Sequence, residues 1–237
     1  MKKILAALLA LALILSFAAC AKDNDDTSST ADVVSTDDTS STADVVSTED
    51  IADSTEKSFV RGTVSGKTYE NEFLGLGVEV GDGWIFYSDE EIATLYGIVE
   101  DTYLEDFEEY LKTATIVYDM QVVDPLTGNN IGVTFEKLTA EGEAATVNME
   151  VFATSLIPTI INSLELMGCT DISSEPKTFE IGGQTFYGSK VSSLISGVEL
   201  HQMSIAVKCD GYVAFISITS VGSDTTQSIV DSFYVLK

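Results

Sequence analysis

Apolar and polar residues alternate through several short stretches of this chain, while elsewhere the apolar positions recur every three or four residues. The first pattern marks a half-buried strand and the second marks one face of a helix. Ala114, Ile116, Tyr118, Met120 and Val122 fall on one face of a strand, and Ile131, Val133 and Phe135 on its return after the loop Asp124–Asn130. Lys177–Ile181 and Gln184–Ser192 flank Gly182-Gly183; Val198–Cys209 and Tyr212–Thr219 flank Asp210-Gly211. Both dipeptides signal two-residue hairpins, whose type I′ turn needs positive φ at both central positions. Thr68–Phe73 and Leu76–Val80 add a short pair around Gly75. The C-terminal third reads as an antiparallel meander.

Helical spacing fills the gaps. Ser88-Asp-Glu-Glu91 has the form of a capping box, in which serine and glutamate satisfy each other's backbone amides at a helix start. Glu100–Lys112 puts Tyr103, Leu104, Phe107, Tyr110 and Leu111 on one stripe. A longer helix is expected from about Thr146 to Met167, with Met149, Phe152, Leu156, Ile160 and Leu164 inward. Pro158 must kink it or break it just before, because proline lacks the amide that a helix interior uses. A last helix is expected from Asp224, pinned by Ile229, Val230, Phe233 and Leu236. The fold class is α+β: an antiparallel sheet of roughly six to seven strands with helices packed on its faces.

The N-terminus changes the picture. Met1-Lys2-Lys3 precedes an apolar run from Ile4 to Leu15, and Phe17-Ala18-Ala19-Cys20 follows. A positive start, a short apolar core and small residues before a cut site make a secretory signal. The apolar run is shorter than the ~20 residues of a bilayer-spanning helix. Phe17–Cys20 resembles the lipobox of bacterial lipoproteins, a likeness that implies lipidation of Cys20 and residence on the extracytoplasmic side of a cell membrane. Residues 1–20 are then signal peptide and lipobox. Acyl chains, at roughly 0.8 kcal/mol per buried methylene, would anchor the chain without a spanning helix.

Residues 21–57 are Ser, Thr, Asp, Ala and Val with no aromatic, and carry a near-identical twelve-residue repeat, Thr27–Asp38 and Thr39–Asp50. Eleven acids against Lys22 and Lys57 give a net charge of −9. Such a composition buries too little apolar surface to offset backbone ordering, so a disordered tether is expected. Like charges extend it beyond the roughly 35 Å of a neutral flexible chain. Its Ser/Thr content also suits glycosylation.

Residues 58–237 form one domain with 27 acids and eight bases, net −19. Nucleic acid is excluded as a partner, since it is bound by basic patches. Tyr69-x-Asn71-x-x-Leu74-Gly75-Leu76-x-Val78-x-Val80-x-x-Gly83-Trp84, followed by a helix, resembles the opening of PsbP-like and DcrB-like domains, with Gly81 where those families carry proline. The order hairpin, long helix, meander and C-terminal helix is similar too. The resemblance implies a non-enzymatic binding or accessory role and brings no catalytic residues with it.

The chemistry-bearing residues are sparse. The one histidine, His201, shares a strand face with Met203, Ile205, Val207 and Cys209 and reads as a partly buried structural residue. No Gly-x-Ser-x-Gly is present. With Cys20 lipidated, Cys169 and Cys209 remain, either bridged or as two thiols. A bridge would close a 40-residue loop, contributing roughly 4 kcal/mol in the chain-entropy model. Gly75-x-Gly77 and Gly81-x-Gly83 lack the rest of a phosphate loop and read as turns. Asp124–Asn130 is oxygen-rich but lacks the ligand density of an EF-hand, so it reads as a turn rather than a calcium site. No cofactor, metal site or catalytic group is expected. The function expected is a membrane-anchored binding or accessory module acting on a protein, glycan or small molecule. The other readings are a carboxylate-dependent extracytoplasmic hydrolase, which needs two opposed acids in a cleft, and a structural envelope protein.

Overall fold

The computed structural model describes residues 58–98 and 107–237. The signal and lipobox with Cys20, the tether, and Tyr103 and Leu104 of the Glu100–Lys112 stripe lie outside the described residues.

Among the described residues, eleven strands fall into two antiparallel sheets. The smaller has the order β1-β2-β3-β11, from Thr63–Ser65, Thr68–Asn71, Leu76–Glu79 and Phe233–Val235. The larger has the order β4-β5-β6-β10-β9-β8-β7. Its strands are Ile85–Phe86 (β4), Ile116–Val123 (β5), Asn130–Lys137 (β6), Thr170–Ile181 (β7), Gln184–Ile195 (β8), Val198–Cys209 (β9) and Tyr212–Val221 (β10). Six helices accompany them among the described residues: α1 (Asp89–Tyr96), α2 (Phe107–Thr113), α3 (Ala140–Ala145), α4 (Met149–Ser155), α5 (Ile157–Leu166) and α6 (Thr226–Val230). The architecture is α+β, with two antiparallel sheets.

Strand parity sorts the core into layers. Met203, Ile205 and Val207 of β9 and Ala214, Ile216 and Ile218 of β10 face the small sheet, meeting Tyr69, Leu76, Val78 and Phe233. Leu200, Ala206, Val213 and Phe215 point the other way, under Phe152, Ala153, Ile160 and Leu164 of α4 and α5. α1 packs with Ile92 and Ala93 beside Tyr118 of β5. The large sheet is thus covered on both faces, which is why its central strands are buried almost residue by residue.

The turns follow from local chemistry. Gly182 and Gly183 both have positive φ, 57° and 81°, as the β7–β8 hairpin requires. Ser196 and Gly197 share that geometry between β8 and β9, at 52° and 79°. At Asp210-Gly211 only Gly211 is positive, so the expected type I′ form is replaced there. Ser88 caps α1, with the reciprocal bonds of the capping box. The long helix breaks at Leu156, where α4 ends and Pro158 begins the next helix within its first turn. The five inward residues expected on it all join the helical core. Pro176 lies within β7, tolerable because β7 is the edge strand and needs no outward amide there.

Two expectations are corrected, and of the two alternatives open for the cysteines one is found. The alternation along β5 is broken: Tyr118 pairs with Thr134 but Met120 with Val133, so Asp119 is the extra residue of a β-bulge. Ile116 and Tyr118 therefore face the helices while Met120 and Val122 face the small sheet. The C-terminal helix stops at Val230, and Phe233–Val235 is a strand paired with β3. Cys169 and Cys209 form no disulfide: both are buried thiols, Cys169 in the helical core and Cys209 in the core between the sheets. The large sheet stands between them.

Gly188 of β8 shows how tightly the central strands approach. A Cβ there would lie 1.7 Å from the Ser204 carbonyl oxygen and 3.0 Å from the Phe179 ring. Gly188→Ala is expected to cost at least about 2 kcal/mol, since backbone cannot yield as a side-chain tip can. Urea unfolding checks this; an unchanged midpoint would mean that the strands part without penalty.

Candidate functional site

The β5 bulge turns two successive side chains, Asp119 and Met120, toward the small sheet, the re-aiming for which bulges are suited. Asp119 is the only buried carboxylate among the described residues. Its Oδ2 accepts hydrogen bonds from the Tyr69 hydroxyl at 2.5 Å, the Asn71 side-chain amide at 2.9 Å and the Gly62 backbone amide at 2.9 Å. Its Oδ1 takes the Arg61 Nε at 3.3 Å. Burial, then the adjacent Asp119 charge, push the Tyr69 phenol well above its ordinary range. Asn71 uses its own Oδ1 to accept from the Leu74 amide, fixing the turn after β2.

Arg61 is the single arginine of the chain. Beyond Asp119 its guanidinium donates two bonds to Asp89, at 2.7 and 2.8 Å, and sits 4.9 Å from the centre of the Phe107 ring. It thereby ties the segment before β1 to the first turn of α1, where a carboxylate also faces the helix amides. Phe59, two residues earlier, packs edge-on against Phe73 and Phe135. Beside this knot lies a cleft of about 260 Å³ lined by Arg61, Val64, Ser88, Asp89, Ile92 and Met120, with Asp119 in its wall. It offers an ion pair at the rim and apolar side chains below, a setting for a small polar group on an apolar body.

A second polar cluster lies at the far end of β8–β10. His201 Nδ1 is 3.2 Å from the Ser192 hydroxyl, and its Nε2 is 3.3 Å from the Gly222 carbonyl and 3.6 Å from Glu199. The histidine is partly buried and pins the chain after β10, as its strand position suggested. Lys190 reaches Asp224 at 2.7 Å, and Asp224 also accepts from the Thr226 hydroxyl and amide. Burial works against the Asp224 charge, but those bonds outweigh it and bring its pKa from 3.8 to about 2.

The remaining sequence candidates resolve into structure. Asp124 accepts from the Leu126 amide and the Thr127 hydroxyl, and Asn129 bonds Thr225 and the Val221 amide, so the loop is a braced turn. Gly75 and Gly83 lie in turns with positive φ, whereas Gly77 is inside β3. The Tyr234 ring lies over Gly77 and its hydroxyl reaches Glu70 on β2. Glu136, half-buried on the helical face, has its carboxyl pushed up by burial. Cys169 is likewise pushed up by burial. Among the described residues no group of three or more His, Cys, Asp and Glu is placed to hold a metal ion.

Neither Arg61 nor Asp119 stood out in the pattern of the sequence. The signal available was the solitary arginine in a strongly acidic chain, since a guanidinium is the cation best suited to a buried carboxylate.

Asp119→Ala is expected to cost about 3–5 kcal/mol, because it leaves the Tyr69 hydroxyl, the Asn71 side-chain amide and the Gly62 backbone amide without their acceptor. Asp89→Ala, at the exposed side of Arg61, should cost no more than about 1 kcal/mol. Equal losses in urea unfolding would mean that the buried pair is not the stronger tie. For Asp224 the folded pKa is depressed, so its contribution is present above about pH 4 and fades as pH falls through about 2. Lys190→Met should flatten the fall in melting temperature across that window; a curve parallel to that of the unsubstituted protein would assign acid sensitivity elsewhere.

No family model and no curated protein matches the chain. Among solved structures it is similar to the solution structure of cyanobacterial PsbP (CyanoP) from Synechocystis sp. PCC 6803, at 14% identity. That match covers 75% of this chain and 98% of the other, with a TM-score of 0.45. It is also similar to LpqN, involved in cell envelope biogenesis of Mycobacterium tuberculosis, at 13% identity, with 68% and 83% covered and a TM-score of 0.39. A PsbP protein and a mycobacterial envelope protein thus stand among its structural neighbours, at identities that assign no role to this chain.

Proposed function

We propose that this protein is an extracytoplasmic lipoprotein, anchored to the membrane through Cys20, whose domain 58–237 is a binding or accessory module. The observation that carries the reading is the run Met1–Cys20, a signal ending in Phe-Ala-Ala-Cys, followed at once by an acidic Ser/Thr tract. A tethered domain needs a firm attachment at the point where the tether joins it. Phe59 and Arg61, the first side chains beyond the tether to pack in depth, are bonded into the aromatic core and the Asp119 knot. The cleft beside Arg61 is the docking place on this reading, open to a protein, glycan or small-molecule group.

Cells expressing the full chain and fed an alkyne-bearing fatty acid provide the test. The unsubstituted protein should carry the label and sediment with membranes, and Cys20→Ser should lose the label. An unlabelled native protein, or label retained by Cys20→Ser, would refute anchoring at this position.

A further inference from the structure

We draw no further inference here: the strongest candidate, the groove of about 490 Å³ at the β11 edge of the small sheet lined by Glu79, Asp231 and Tyr234, is an acidic cluster on a domain of net charge −19, and no second observation there points to a ligand.

Discussion

A carboxylate buried without partners costs several kcal/mol in lost hydration, so a fold that encloses one must bring donors to it. Asp119 sets that condition here. Its donors come from two places, Arg61 and Gly62 in the segment before β1 and Tyr69 and Asn71 on β2. The apolar contacts between the sheets are non-directional and would tolerate sliding by a residue. The hydrogen bonds at Asp119 do not, and they fix the small sheet in one register over the large one. The bulge in β5 makes this arrangement possible, because it lets Asp119 and Met120 share a side.

What could be read from the residues is what depends on near neighbours. The Gly182-Gly183 hairpin, the capping box at Ser88 and the break ahead of Pro158 each rest on two to four adjacent residues, and all are present. Features decided across the chain were not legible. Nothing near Asp119 announces a bulge, since its cause is a set of donors 48 to 58 residues earlier. Phe233–Val235 carries apolar spacing compatible with helix, and pairing with β3 settles it as strand. Asp210-Gly211 has the composition of a type I′ turn but only its glycine takes positive φ. The candidate site was hidden for the same reason: Arg61, Tyr69, Asn71, Asp89 and Asp119 come from distant stretches, and only the rarity of arginine hinted at any of them.

The surfaces left over divide sharply in character. Sheet edges invite further strands, yet β1 and β4 are two or three residues long, and β7 carries Pro176 and an irregularity between Thr170 and Ser173. The acidic surface discourages close approach by another copy. The helical face over β7–β9 carries Val151 and Leu166 exposed, with Glu150 and Glu165 as the charged residues of α4 and α5.

The pairing of β11 with β3 carries a consequence for how the protein comes to exist. Leu76–Glu79, near the front of the domain, has one flank completed by Phe233–Val235, the last strand. Phe233 also fills the core between the sheets, beside Val78. A chain delivered from its N-terminus, whether by a ribosome or through a membrane pore, must therefore hold its first hairpin half-finished until nearly the final residue has emerged. The β7–β10 hairpins can close as soon as each turn is supplied, because their partners are adjacent in sequence. Assembly of this domain is thus gated at its tail: a polypeptide cut short by five residues loses the clasp that shuts the small sheet, although every residue of the Asp119 knot is present.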